Sequence, residues 1–192
     1  MNNKAEYKRQ VQFRTSEDNN NKIIEGYFAV FEEETELFKG FFEKISKGAF
    51  KNTLEKDNIR CLFNHNTDVV LGTTDNNTLI LKEDDKGLYG KVIINDKDTE
   101  AINIYERVKR GDITGCSFGF FLLDFEEETD DKGRHTKILE AQLLEVSICT
   151  YPAYESTNIS ARNKQYDYIS GKKLNNKKDN IRKKLERLCK NA

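Results

Sequence analysis

Two histidines offer the starting point for chemistry, because imidazole is the side chain best suited to proton transfer near neutral pH. His65 ends the apolar segment 59–65 and precedes a polar turn and the short apolar segment 69–73. His135 lies instead in the charged segment 132–135. We therefore take His65 as the candidate general base and His135 as a solvated turn residue. The alternative is that His65 is a structural residue at the end of a strand, with its ring hydrogen-bonded to backbone groups.

Ser117 is the candidate nucleophile. If its segment is an extended strand, Gly115, Ser117 and Gly119 point to one face, while Cys116 points to the other with its apolar neighbours. The two glycines leave room beside the Ser117 hydroxyl, whereas the apolar face indicates a core position for Cys116. A glycine-rich strand packed closely under another element would show the same pattern.

A serine nucleophile needs a base, and the base benefits from a third group that orients it. Glu140 and Glu145 both lie in the apolar segment 137–150. Their positions differ by an odd number, so a regular strand turns only one of them toward Ser117 and His65. Glu145 has the more apolar surroundings, where a carboxylate is costly unless it is paired. A salt bridge to a lysine or arginine would satisfy it equally well.

The four cysteines predict no metal site and no disulfide framework. They occupy positions 61, 116, 149 and 189 and form neither a CxxC pair nor a cluster with histidine at metal-ligand spacing. The first three lie in apolar, strand-like segments, where a reduced thiol behaves as a small buried hydrophobe. We expect neither a bound metal nor a cofactor.

Hydrophobic periodicity predicts a mainly β protein with helices (α+β), built as a small antiparallel barrel or a strongly bent sheet. Strands are predicted over 4–15, 22–31, 38–45, 59–65, 69–73, 78–82, 88–94, 115–125 and 137–150. Helices are predicted over 47–56 with Ser46 as its cap, over 98–110 with Gly111 at its end, and over 179–190. Turns are expected at 16–21, 32–36 and 126–134.

Composition and charge favour a folded acidic body with a basic tail. The 192 residues include 12 Phe and 8 Tyr, too many aromatics for a disordered chain. The net charge of −1 divides into −8 for residues 1–162 and +7 for residues 163–192. We therefore predict a domain over 1–162 and a basic tail, partly helical or disordered, over 163–192. An acidic body would repel phosphate, so specific nucleic-acid binding is not expected.

The sequence contains no apolar run long enough to span a bilayer, which takes roughly 20 residues. Residues 1–15 are polar and charged and have no apolar signal-peptide core. Synthesis in the cytosol, without membrane attachment, is the expectation.

Several short motifs, taken in order, resemble the prohead (procapsid maturation) protease family of tailed phages. The resemblance covers residues 10–162. The matching stretches are 43–45 with 48–50, 63–66 with 70–72, 115–120, and 144–147 followed by 151–153. Each motif is weak by itself, and their collinear order carries the resemblance.

The resemblance implies a fold and a set of site residues. The family is related in fold to the herpesvirus assembly protease, a serine protease with a bent β-barrel and surrounding helices. It implies His65 as base, Ser117 as nucleophile and Glu145 as the third member, in place of the second histidine of the herpesvirus triad. The arginine-rich turn of the herpesvirus enzyme has no counterpart in residues 151–154. Backbone N–H groups or Arg162 are the remaining oxyanion candidates.

The resemblance also implies a biological setting. The expected activity is a serine endopeptidase that cuts the scaffolding segment of the major capsid protein inside the procapsid, and also cuts itself. Its expected location is the host cytoplasm and then the procapsid interior, with contact to the portal and self-association as further implied interactions. The competing interpretation is a non-catalytic β-barrel module of capsid assembly that keeps the fold without the activity.

Overall fold

The computed structural model describes residues 13–18, 21–151, 166 and 168–183. Ten strands and two helices are bounded within the first two ranges. The strands are β1 (Arg14–Asp18), β2 (Asn21–Val30), β3 (Thr35–Phe38), β4 (Phe41–Ile45), β5 (Arg60–Phe63), β6 (Asn66–Thr73), β7 (Leu79–Glu83), β8 (Gly87–Ile94), β9 (Gly115–Asp130) and β10 (Gly133–Cys149). The helices are α1 (Lys51–Lys56) and α2 (Thr99–Arg110), and a third helical segment, α3, covers 168–183 with Tyr166.

The strands form two sheets. The first has the order β1-β2-β8-β7 and is antiparallel throughout. The second has the order β3-β4-β10-β5-β6, with β9 paired to the other edge of β10. Buried side chains from both sheets and from α2 form one apolar core, which includes Ile24, Phe50, Val92, Ile104 and Val146.

β10 organises the second sheet. Its first part, from Arg134, pairs in parallel with β4, and its last part, from Glu145, pairs in parallel with β5. The chain between these two strands contains α1 and crosses the middle of β10. There the Ala141 N–H donates to the Ala49 carbonyl, and the Leu143 N–H donates to the Thr53 hydroxyl. β4 and β5 thus follow one another along a single edge of β10.

Local sequence explains where α2 begins and ends. The Asp98 carboxylate accepts from the backbone N–H groups of Glu100 and Ala101, and Gly111 ends the helix in the left-handed conformation at φ 86°. Its buried face carries Ala101, Ile104, Tyr105 and Val108 at helical spacing. The prediction of this helix is confirmed.

The prediction for the first helix is wrong at its start. α1 begins at Lys51, and residues 47–50 are turns rather than the predicted first helical turn. Ser46 provides no cap, and its hydroxyl has no hydrogen-bond partner among the described residues. The Phe50 N–H donates instead to the Glu83 carboxylate on β7, so a distant strand satisfies the start of this helix.

Several predicted turns are also wrong, since the strands are longer than their apolar cores. β1 extends through Asp18, a turn divides the predicted strand 38–45 into β3 and β4, and β9 and β10 continue to a tight turn at residues 131–132. Cross-strand hydrogen bonding satisfies the backbone of these polar extensions, so apolar periodicity does not detect them. The predicted strand 4–15 and helix 179–190 lie largely outside the described residues.

The predicted bent antiparallel β-barrel is not found among the described residues. Their strands pair as two open sheets, and β10 makes parallel pairs with β4 and β5. A strand's own pattern indicates which face is buried but not which strand lies beside it. The broader prediction of a mainly β protein with helices (α+β) is confirmed.

Tyr166 ties α3 to the rest of the molecule. Its side chain is fully buried against Phe41 and Phe125, and its hydroxyl donates to the Glu43 carboxylate at 2.8 Å. Lys173, seven residues and therefore about two helical turns further on, donates to the Phe125 carbonyl. No helix within the described ranges is both long enough and apolar enough to cross a membrane.

Candidate active site

His65 is carried by a two-residue turn between β5 and β6. Asn64 and His65 both have positive φ angles, 51° and 58°, and Phe63 pairs with Asn66 across the turn. Two central residues with positive φ match the right-handed twist of a hairpin, and asparagine and histidine are among the non-glycine residues that tolerate this region best. The conformation nevertheless costs on the order of 1 kcal/mol, so contacts elsewhere must hold it.

Those contacts come from the end of β10. The Asn64 N–H donates to the Ile148 carbonyl at 3.0 Å, and the Asn64 side-chain carbonyl accepts from the Thr150 N–H at 2.9 Å. The His65 N–H donates to the Ser147 hydroxyl at 3.2 Å. The turn is therefore fixed against β10 by backbone and side-chain groups.

Glu145 is the partner of the His65 ring. Its Oε1 lies 2.7 Å from His65 Nδ1, and its side chain is only 14% exposed. The second carboxylate oxygen, Oε2, accepts from the Ser147 hydroxyl at 2.5 Å. Both oxygens are thus engaged in one small polar cluster at the end of β10. This arrangement fixes which ring nitrogen of His65 points toward the carboxylate.

Ser117 lies on the adjacent strand, on the same face of the sheet as Glu145. It pairs directly with Ser147, and Gly119 pairs directly with Glu145, across β9 and β10. Directly opposed residues of an antiparallel pair have Cβ atoms about 5 Å apart on one face. The half-buried Ser117 is therefore a near neighbour of the cluster formed by His65, Glu145 and Ser147.

His65 Nε2, the ring nitrogen that faces away from the carboxylate, is shielded from solvent and has no hydrogen-bond partner among the described residues. The structure accordingly brings His65 and Glu145 into contact and places Ser117 beside them without a hydrogen bond from Ser117 to Nε2. Catalytic hydrogen bonds are often long in unliganded enzymes and tighten with substrate.

The other candidate residues lie elsewhere. Glu140 accepts from the Asn52 side chain at 2.7 Å, away from His65. The Cys116 thiol contacts the backbone carbonyls of Tyr27 and Phe28, on the side of the first sheet. His135 is not simply solvated, because its two ring nitrogens contact Glu34 and Asp130 and its ring stacks on Phe42.

The described thiols are buried or partly buried and form no disulfide. Cys61 and Cys149 are buried and unpaired. No group of three or more His, Cys, Asp or Glu side chains within the described ranges could hold a metal ion. The remaining candidates lie outside the described residues. They are Cys189 for the thiols, and residues 152–154 and Arg162 for the oxyanion site.

A family model for the Caudovirus prohead serine protease matches residues 9–171. The chain belongs to this family. The resemblance predicted from the ordered motifs is thereby confirmed, and the match extends beyond Arg162 to include Tyr166.

One curated relative is the prohead protease of Enterobacteria phage HK97, which is 31% identical over 155 residues. The alignment covers 79% of this chain and 65% of the relative, so this prohead protease homologue spans slightly less than two thirds of the relative's length. No solved structure matches the chain.

Ser147 is the residue of this candidate site that the sequence analysis missed. Its hydroxyl contacts both Glu145 and the His65 backbone, and its side chain is completely buried. The available signal was the spacing, because Ser147 is two residues from Glu145 and a strand turns such residues to the same face.

The electrostatics of the candidate site favour a protonated His65 imidazole. The pKa of His65 is raised from 6.5 to about 10, by its polar interaction with the Cys149 sulfur and then by the Glu145 carboxylate, against an opposing effect of burial. Burial raises the pKa of the Cys61 thiol well above its usual range, and the nearby Glu145 carboxylate acts in the same direction. The Cys61 thiol is therefore neutral at physiological pH.

The raised His65 pKa predicts a pH dependence. Only the unprotonated imidazole can accept the proton of a serine, so its available fraction increases as pH rises toward about 10. We expect the rate at which a fluorophosphonate labels Ser117 in the intact chain to increase continuously between pH 6 and pH 9. A rate that levels off near pH 7 would contradict the raised pKa.

The close contact between Gly119 and Glu145 predicts that a side chain at position 119 lowers reactivity. A Cβ at position 119 would lie 2.5 Å from Glu145 Oε1, at the flexible end of that side chain, so Glu145 can move away while the backbone stays in place. We expect Gly119→Ala to shift the melting temperature by only a few degrees and to lower the labelling rate at least tenfold. Gly171→Ala, where a Cβ meets nothing within 4 Å, is the control and should retain the labelling rate. Equal labelling of both variants would contradict the role of Gly119.

Proposed function

We propose that the protein is a serine endopeptidase with Ser117 as nucleophile, His65 as general base and Glu145 as the carboxylate that orients the imidazole. The observation that carries this proposal is the 2.7 Å contact between His65 Nδ1 and Glu145, on the face of the sheet that carries Ser117. Membership of a serine protease family supports it.

The proposed mechanism assigns one step to each group. His65 Nε2 accepts the Ser117 proton as the serine oxygen attacks the peptide carbonyl, and the resulting imidazolium then protonates the leaving amine. Water activated by the same nitrogen then hydrolyses the acyl-enzyme. Glu145, held on Nδ1, keeps Nε2 directed at the nucleophile and stabilises the imidazolium. A small reorientation of His65 or Ser117 on substrate binding would complete the hydrogen bond between them.

The proposed substrate is the scaffolding segment of the major capsid protein, cut inside the procapsid, together with sites in the protease itself. The name of the HK97 relative, a prohead protease, supports this setting. We place the protein in the host cytoplasm during assembly and then in the procapsid interior, where contacts with the portal and self-association also belong to the proposal. No metal or cofactor takes part in the proposed chemistry.

We also propose that residues 1–162 form the protease domain and that residues 163–192 form a basic appendage. The division of charge, −8 against +7, supports two parts with different surroundings. Tyr166 would then be the anchor by which this appendage docks on the domain, through its hydrogen bond to Glu43.

A second candidate function is a non-catalytic assembly module with the same fold. The lack of a hydrogen bond between Ser117 and His65 Nε2 is the observation in its favour. Fluorophosphonate labelling separates the two candidates, because the reagent modifies an activated serine and leaves an ordinary hydroxyl intact. Labelling at Ser117, located by mass mapping, would exclude the non-catalytic module.

Substitution of the nucleophile and the base forms the main test. We expect Ser117→Ala and His65→Ala each to lower cleavage of co-expressed capsid protein by about four or more powers of ten, with the fold retained. The double variant should be no worse than either, since residues that act as a unit are strongly non-additive. Cleavage is measured by electrophoresis and mass spectrometry of the capsid protein.

The controls for this test are Cys116→Ala and His135→Ala, which should leave cleavage close to normal. Near-normal processing by Ser117→Ala together with its loss in Cys116→Ala would overturn the assignment of the nucleophile. Equal losses from both histidine variants would indicate a triad with two histidines and would exclude Glu145 from it.

The role of Glu145 is tested by comparison with Glu140. Glu145→Gln should lower turnover by about 10²- to 10⁴-fold, less than the loss of His65, because the orienting member is the least costly to remove. Glu140→Gln, whose partner is Asn52, should have little effect. A purely structural Glu145 predicts the opposite pattern, namely a melting temperature lowered by several degrees with turnover per folded molecule unchanged.

A further inference from the structure

We propose that Ser147 is a positioning residue of the active site, which acts on the reaction through both Glu145 and His65. The inference rests on the proposed function of Ser117, His65 and Glu145. It assigns to the Ser147 hydroxyl two tasks, namely to hold the Glu145 carboxylate in the orientation that meets the imidazole and to hold the strained turn that carries His65.

The first task follows from the contact with Glu145. Ser147 Oγ donates to Oε2 at 2.5 Å, while Oε1 meets His65 Nδ1 at 2.7 Å. A glutamate side chain has three rotatable bonds, and a single contact through Oε1 would leave its carboxylate free to rotate. The hydrogen bond to the second oxygen removes that freedom and is of the strong, charge-assisted kind.

The second task follows from the contact with the turn. The His65 N–H donates to Ser147 Oγ at 3.2 Å, so the hydroxyl acts as acceptor for the turn and as donor to the carboxylate. His65 has a φ of 58°, a conformation that persists only when surrounding contacts enforce it. The same oxygen also lies 3.5 Å from His65 Nδ1, so the residue spans the backbone and the ring of the proposed base.

Burial excludes a solvent-related explanation for this serine. Ser147 is 0% exposed, and its strand neighbours Val146 and Ile148 are equally buried and apolar. A buried hydroxyl is costly unless it is hydrogen-bonded, and an apolar residue would suit the strand better. Within the described part of the chain, the hydrogen bonds of this hydroxyl go to the proposed base and its carboxylate, so the serine serves their geometry rather than the pairing of β10.

Ser147 also lies next to Ser117, the third of the proposed catalytic residues. Ser147 and Ser117 are directly paired across the two strands, with Glu145 two residues away on the same face. The hydroxyl of Ser147 is therefore central to the three proposed catalytic groups. Because Ser147 is fully buried, it has no exposed surface to offer a substrate, and for this reason we call it a positioning residue.

The experiment measures fluorophosphonate labelling of Ser147→Ala in the full chain, normalised to folded protein. We expect the maximal labelling rate to fall about ten- to a hundredfold, the loss that goes with a buried charge-assisted hydrogen bond, while the half-saturating probe concentration stays the same. Thr136→Val is the matched control. It removes another buried hydroxyl of β10, which donates to the Phe42 carbonyl far from His65, and it should label at the wild-type rate.

A double-variant cycle separates positioning from general destabilisation. In a Glu145→Ala background, Ser147→Ala should cost clearly less than in the wild type, because the carboxylate that it orients is gone and only its contact with the His65 N–H remains to be lost. Three results would each overturn the role of Ser147. The labelling rate could fall as much in the Glu145→Ala background as in the wild type, Thr136→Val could lose as much as Ser147→Ala, or Ser147→Ala could label at the wild-type rate. Ser117→Ala that labels like the wild type would instead overturn the proposed function itself.

Discussion

β10 forms hydrogen bonds along both of its edges, and the geometry of the site depends on this double pairing. β9 runs along one edge for its whole length, while β4 and then β5 occupy the other. The pairing with β9 sets Ser117 opposite Ser147, and the pairing with β5 delivers the Asn64–His65 turn to the end of β10. Groups distant in the sequence are thus positioned by backbone hydrogen bonds, which are shared among many residues and resist local distortion.

The polar cluster at the end of β10 costs folding free energy, which the strand pairing around it must offset. It combines a carboxylate only 14% exposed with a histidine in the left-handed region. A buried carboxylate is tolerated when its oxygens are satisfied, and here both oxygens have partners. The same pairing favours the imidazolium, so it stabilises the local structure while it lowers the fraction of His65 that can accept a proton.

Side-chain alternation predicted part of this site. It indicated that Ser117 and Gly119 share a face and that Glu140 and Glu145 have different surroundings, since this information lies within a strand's own sequence. The two-residue turn at Asn64 and the parallel pairs of β10 could not be predicted, because they depend on which distant strands lie side by side. Ser147 was overlooked because a serine among apolar residues has no distinctive pattern without its partners.

Because Gly119 lies so close to Glu145, the residues at these two positions are expected to change together among homologues. While the carboxylate is required, position 119 must lack a side chain, because a Cβ would take the space of Oε1. A lineage that loses Glu145 is released from this constraint, and a strand then gains from a β-branched or aromatic residue in place of glycine. Joint replacement of both residues would therefore mark homologues in which this carboxylate no longer has a role.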